Sequence, residues 1–120
     1  MTGFSLLGHL HRTLRASGVS GTVFADAVPL LPGALELTAA GFVSGGTRNN
    51  MAYLEQWVSV DAGVPGDVTV LLQDAQTSGG LLLATPTPDA VRGELERRGV
   101  LAAVVGRVEA GAPGHITVRV

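Results

Sequence analysis

The stretch GLLLATPTPDAVRGELERRGVLAAVVGRVEAGAPGHITVRV, residues 80–120, decides the fold. An apolar run predicts a strand over residues 80–85. Residues 87–89, Thr-Pro-Asp, combine an N-cap, a first-turn proline and an acid that the helix dipole favours, and the helix that they open ends at Gly99. A second strand is predicted over 101–108, and the order strand, helix, strand predicts a right-handed parallel crossover.

The end of the chain predicts one more strand. A turn rich in Gly and Pro at 111–114 precedes residues 115–120, in which Ile116, Val118 and Val120 alternate with polar residues. This pattern predicts a strand that pairs with its predecessor as an antiparallel hairpin. Together with the parallel crossover, the hairpin predicts a mixed β-sheet with helices packed on it, which is an α+β fold.

The first two-thirds of the chain alternates short helices and strands. Apolar residues at helical spacing predict an amphipathic helix over residues 4–17, with Thr2 as its N-cap. The predicted elements after it are a strand over 22–25, a short helix over 32–40, a polar loop over 45–50, a helical turn over 51–56, a strand over 57–60 and a turn over 61–67. Residues 68–73 fit either a strand or a helical turn.

The composition predicts one folded domain, residues 1–120, and argues against two classes of binding partner. The chain has 46% hydrophobic and 15% charged residues, which excludes intrinsic disorder. Its net charge is −2 and its eight basic residues are scattered arginines, so we expect neither nucleic acid nor a membrane surface as partner. The absence of cysteine excludes disulfides and thiolate chemistry. No signal peptide or membrane-length apolar run is evident, so we expect a cytoplasmic protein.

The sequence gives little support to a metal site or to a catalytic nucleophile. His9 and His11 are two positions apart and point in different directions on a helix, and His115 heads a distant strand. We expect no metal site, with His9 facing the sheet or solvent and His11 at the edge of the core. Ser5 and Ser78 lack a Gly-x-Ser-x-Gly elbow and an acid placed to orient a base, which disfavours nucleophilic catalysis.

Two glycine-rich segments suit an oxyanion better. Residues 45–49, Gly-Gly-Thr-Arg-Asn, place backbone donors beside the Arg48 guanidinium, and residues 77–80, Thr-Ser-Gly-Gly, precede a predicted strand. Both arrangements can hold a phosphate oxygen. Neither is a Walker loop, because the chain contains no lysine. From composition alone, an ordinary tight turn is the more common explanation of each segment.

Four motifs in sequence order resemble one enzyme family. They are Met-Thr-Gly-Phe-Ser-Leu-Leu-Gly-His at 1–9, Val-Pro-Leu-Leu-Pro-Gly-Ala at 28–34, Gly-Gly-Thr-Arg-Asn at 45–49 and Asp-Ala-Gln-Thr-Ser-Gly-Gly-Leu-Leu at 74–82. The chain resembles the C-terminal domain of the selenophosphate synthetase (selenide, water dikinase) family. It departs from the family at Ser5, where the family has glycine, and at Ala75, where the family has proline.

The resemblance implies an α+β fold similar to the C-terminal domain of the aminoimidazole ribonucleotide synthetase superfamily. It also implies an ATP-dependent phosphotransferase that converts selenide, ATP and water into selenophosphate, AMP and phosphate with Mg²⁺, for selenocysteine and selenouridine synthesis. Family members are homodimers whose N-terminal ATP-binding domain carries the reactive Cys or selenocysteine, the catalytic lysine and most metal-binding aspartates. A further metal-binding aspartate of the family falls just before the position of Met1. No principal catalytic or metal residue of the family therefore maps onto this chain.

The resemblance leads us to expect an inactive C-terminal half that closes the cleft of a complete enzyme, with Mg²⁺ and ATP held mainly by the N-terminal ATP-binding domain. The residues expected to line the cleft are Thr2, Gly3, Thr47, Arg48, Asn49, Thr77, Ser78 and Gly79. A stand-alone anion-binding or dimerisation module of the same fold is the alternative. A sister enzyme of the superfamily is a weaker option, because residues 76–80, Gln-Thr-Ser-Gly-Gly, distinguish the selenophosphate synthetases from their relatives.

Overall fold

A four-stranded mixed sheet stands at the centre of the computed structural model, which describes residues 1–77 and 79–120. The strands are β1 (Ser20–Phe24), β2 (Val58–Val60), β3 (Gly106–Glu109) and β4 (Ile116–Arg119). The helices are α1 (Ser5–Ser17), α2 (Ala34–Ala39), α3 (Gly45–Leu54), α4 (Gly66–Leu72) and α5 (Pro88–Arg97). The predicted α+β fold with a mixed sheet is therefore confirmed.

The order of the strands across the sheet is β2-β4-β1-β3. β4 lies parallel to both β1 and β2, and β3 lies antiparallel to β1. The predicted closing hairpin is wrong, because β1 separates β3 from β4. Burial explains the arrangement: Ile116 and Val118 of β4 are fully buried and suit an inner strand, whereas Arg107 and Val108 of β3 are exposed and suit an edge.

The core lies where helices α1, α3 and α4 cover the inner strands. Its largest fully buried apolar side chains are Leu7, Leu14, Leu54, Leu72 and Ile116. Helix α1 ends as its sequence predicts, because Gly18 takes the left-handed conformation, with φ +69°, and its N–H caps the last turn. Across the described residues, no helix combines the length and the apolar character that crossing a membrane requires.

The predicted strand over 80–85 does not form. Leu81 is 86% exposed and Leu83 is 58% exposed, and the described residues from 79 to 86 contain no helix or strand. Among the described residues, no strand of the sheet pairs with this segment, so its backbone lacks the ladder hydrogen bonds that define a strand. The predicted crossover to 101–108 is consequently absent, and only the end of that second segment forms β3.

Helix α5 is confirmed between those two segments, with Pro88 as its first residue. It packs less closely than its sequence suggests, because Val91 and Leu95 are only half-buried and none of its residues is buried. Thr87 occupies the N-cap position, but its side chain makes no capping hydrogen bond. Val91 and Leu95 lie four positions apart in the sequence and predict a narrow buried stripe on this helix, and that prediction is wrong.

Two further local predictions are corrected, and one ambiguous segment is resolved. Residues 45–50 form the first turns of α3 instead of a polar loop, and residues 66–72 form α4, which settles the ambiguous segment as helix. Thr2 does not cap α1; the Ser5 hydroxyl accepts the Gly8 N–H at 3.1 Å and takes that role. Ser5 has φ +73°, a left-handed conformation that glycine adopts at no steric cost.

Candidate functional site

Three of the family-like motifs meet at one place on the molecule. The start of the chain runs beside the loop at 73–80, where the Met1 amino group donates to the Gly80 carbonyl at 2.6 Å. In return, the Gly79 N–H donates to the Met1 carbonyl at 3.1 Å. The first turns of α3 complete this junction, which consists of residues 1–3, 44–50, 73–77 and 79–80. The sequence motifs at 1–9, 45–49 and 74–82 are thus brought into contact.

Thr47 joins α3 to the 73–80 loop from inside the protein. Its side chain is fully buried, and its hydroxyl donates to Asp74 Oδ1 at 2.6 Å. The same hydroxyl oxygen accepts the Ala75 N–H at 3.1 Å. Ser44 caps the helix by accepting the Thr47 N–H at 3.1 Å. Thr47 was expected to line a cleft, but the structure places it beneath that surface, with its hydroxyl already bonded.

Asn50 lies one helical turn after Thr47 and was absent from the predicted site. Its side-chain amide donates to the Gly3 carbonyl at 2.8 Å and to the Gln73 carbonyl at 3.1 Å. Residues three apart share one face of a helix. The spacing of Thr47 and Asn50 would have revealed this pair if residues 45–50 had been predicted as helix.

The other expected residues divide by exposure. Thr2, Gly3, Arg48, Asn49 and Thr77 are exposed, and Gly79 is half-buried. Ser78 lies outside the described residues. Among the residues that the structure does describe, Arg48 has no carboxylate within ion-pair distance.

Gly79 is required by its neighbours. A Cβ added there would lie 2.8 Å from Met1 Cβ and 2.9 Å from the Met1 carbonyl oxygen, both closer than side chains tolerate. The loop therefore approaches the start of the chain as closely as only glycine permits.

The histidines each have a separate structural partner. His9 accepts the Thr2 N–H on Nε2 at 3.0 Å, so it contacts the start of the chain rather than the sheet. His11 is fully buried instead of at the core edge, and its Nδ1 donates to the Gly114 carbonyl at 2.8 Å. His115 Nε2 lies 3.1 Å from the Ser59 hydroxyl. Within 1–77 and 79–120, no three potential metal ligands cluster.

Comparison with known proteins identifies the family. The model of the family "AIR synthase related protein, C-terminal domain" matches residues 1–119. The chain belongs to this family.

Among its relatives, the selenide, water dikinase of Myxococcus xanthus is 39% identical over 116 residues, which is 95% of this chain and 33% of the relative. The enzyme of the same name from Cronobacter sakazakii is 36% identical over 122 residues, which is 100% of this chain and 34% of that protein. The Escherichia coli O157:H7 enzyme is 46% identical over 84 residues, which is 70% of this chain and 23% of that protein. The chain thus spans about a third of the length of the first of these relatives.

The junction of this AIR synthase related domain has the features of an oxyanion-binding wall. The amino end of α3 carries partial positive charge, its first residues are glycines, and the exposed Arg48 guanidinium stands in its first turns. Asp74 is the one acid bonded within the described part of the junction, where its Oδ1 accepts the Thr47 hydroxyl. Chemically, an arrangement of this kind suits a phosphate oxygen.

Proposed function

We propose that this chain is the C-terminal domain of a selenide, water dikinase and that it forms one wall of the cleft in which ATP and selenide react. The meeting of three sequence motifs in one hydrogen-bonded junction carries this proposal. The names of the relatives support the reaction, which yields selenophosphate, AMP and phosphate from selenide, ATP and water. When bound, Mg²⁺ would neutralise phosphate charge, and an N-terminal ATP-binding domain would supply its ligands and the reactive groups.

In the proposed wall, exposed residues contact the ligand and a buried residue supports them. Thr2, Gly3, Arg48, Asn49, Thr77, Ser78 and Gly79 line the cleft. Thr47 supports them from below through its bonds to Asp74 and Ala75. Arg48 and the backbone donors of the first α3 turn stabilise negative charge as it develops on phosphate oxygens. A water-excluded cleft strengthens this effect, because fixed donors act most strongly where water is absent.

A chimeric enzyme tests this function directly. In the Myxococcus xanthus enzyme, the matching third of the sequence is replaced by this chain, and selenide-dependent AMP formation is measured. We expect activity from the chimera and none from the isolated chain. A folded but inactive chimera, or robust turnover by the isolated chain, contradicts the proposed supporting role.

An Arg48→Gln variant of the chimera tests the role of the guanidinium. We expect kcat/KM for ATP to fall about tenfold or more, since a hydrogen bond to a charged group is worth about 1.5–3 kcal/mol. Arg92→Gln is the matched control, because Arg92 lies on α5 and pairs with Asp89 at 3.3 Å. Equal losses in the two variants contradict a specific role for Arg48.

Exposed apolar residues favour the second candidate function, a dimerisation module. Leu31, Phe42, Leu81 and Leu101 are each at least 75% exposed. Where exposed apolar residues form a contiguous patch, that patch commonly marks a protein–protein contact. We propose that the chain self-associates, as the homodimeric family pattern implies, in the cytoplasm. Light scattering over a range of concentrations measures this, and a monomer at every concentration contradicts it.

A further inference from the structure

Asn50 connects the two loops of the junction through a single side-chain amide. The NH₂ group of asparagine has two hydrogens and no acceptor, and here one hydrogen goes to Gly3 and the other to Gln73. Gly3 belongs to the start of the chain, whereas Gln73 begins the 73–80 loop. The donor itself stands on α3, a helix whose start is capped by Ser44. A helix holds such a group more firmly than a loop does.

We infer that Asn50 is a positioning residue that couples the order of residues 2–4 to the order of residues 74–77 and 79–80. The functional role of this coupling rests on the proposed function, because both segments border the proposed oxyanion wall. The coupling itself needs no ligand. If the amide is lost, both carbonyls lose their donor at once, and both segments separate from the same helix.

The contacts around Asn50 distinguish it from a residue that only stabilises the fold. Thr47 and Leu54, its neighbours along α3, are fully buried, whereas Asn50 is half-buried. Both hydrogen bonds of its side chain leave the helix, one for each of the two loops. Removing the amide should therefore loosen the loops while the sheet stays intact.

Asn50→Asp and Asn49→Asp form a matched pair of variants. Aspartate has the shape of asparagine, but it places an acceptor opposite the Gly3 and Gln73 carbonyls and repels both. Asn49→Asp introduces the same charge one position earlier, at an exposed residue with no side-chain hydrogen bond among the described residues. Asn50→Ala removes the amide without adding charge and serves if the aspartate variant fails to fold.

Hydrogen exchange of the isolated chain, followed by NMR without ligand, is the test. Two amides report the segments: Ser5 N–H, bonded to the Thr2 carbonyl, and Gly79 N–H, bonded to the Met1 carbonyl. We expect Asn50→Asp to accelerate both at least about tenfold, the factor that corresponds to one lost hydrogen bond of about 1.4 kcal/mol. The Val23 and Val118 amides in the inner strands exchange through global unfolding, so they should accelerate by no more than the loss in the free energy of unfolding measured with urea accounts for.

Each outcome of the exchange experiment either supports or contradicts the coupling. Acceleration in one segment only, or an equal effect of Asn49→Asp, overturns the coupling. In the chimeric enzyme, Asn50→Asp should lower kcat/KM while the chimera stays folded. An inactive chimera with the expected exchange pattern contradicts the proposed function alone, and an active chimera without that pattern contradicts this inference alone.

Discussion

The buried hydroxyl of Thr47 allows a quantitative test of the junction. In Thr47→Val, a methyl group of similar size replaces the hydroxyl, so the core volume is kept. The variant loses the hydrogen bond to the Asp74 carboxylate and leaves the Ala75 N–H without its acceptor. A hydrogen bond to a charged group is worth about 1.5–3 kcal/mol, and an orphaned buried donor adds to that cost. We expect a loss of about 2–4 kcal/mol in the free energy of unfolding.

Thr47→Ser is the matched control for this substitution. It keeps the hydroxyl and removes one methyl group, which costs about 1 kcal/mol. Urea unfolding followed by circular dichroism measures the free energy of unfolding of both variants. In a thermal melt, a loss of 2–4 kcal/mol lowers the melting temperature by about 8–16 °C in a domain of this size.

A double-mutant cycle with Asp74→Asn assigns the energy to the pair. Because asparagine can keep an acceptor oxygen at Oδ1 but carries no charge, the coupling between the two substitutions reports the charged part of the Thr47–Asp74 bond. We expect a coupling of about 1 kcal/mol, within the range measured for residues in contact. If valine and serine destabilise equally, or if the coupling is zero, the reasoning about Thr47 is wrong.

Three further predictions concern the backbone and the start of the chain. Ser5→Ala loses the side-chain cap of α1 and keeps the strained left-handed backbone. Ser5→Gly also loses the cap, but it relieves about 1–2 kcal/mol of backbone strain. The glycine variant should therefore be the more stable of the two in urea unfolding. Gly106→Ala should cost about 3 kcal/mol or more, because its Cβ would overlap the backbone of β1, whereas Gly93→Ala on α5 meets open space and should stabilise the chain slightly. His9 should carry its proton on Nδ1, since Nε2 accepts from Thr2; long-range ¹⁵N correlation that finds an Nε2 proton contradicts this.

Sequence signals that depend on one or two residues correctly predicted where two helices begin or end. Gly18 ends α1 in the left-handed conformation, and Pro88 begins α5 in the first turn, because each depends only on the backbone preferences of one residue. The alternation in β4 likewise predicted that Ile116 and Val118 face the core. Such signals act within a few residues and therefore survive without knowledge of the rest of the fold.

Strand pairing was less predictable, because alternation specifies which face of a strand is buried and not which strand lies beside it. β3 and β4 are close in sequence and joined by a turn, yet β1 lies between them. Ser20 opposes Glu109 on one side of β1, while Gly21 opposes Ile116 on the other. Only the competition among all strands for the inner positions decides this order.

The missed helix α3 has the most direct link to function. Gly45, Gly46 and Asn50 all lower helix propensity, and a glycine inside a helix costs about 1 kcal/mol relative to alanine. The segment is nevertheless helical, because Ser44 caps it and Thr47 binds the 73–80 loop. Polar residues that disfavour a helix by themselves here make the contacts that hold it against two loops. A segment whose structure depends on the junction is therefore the segment whose substitution should most disturb the proposed site.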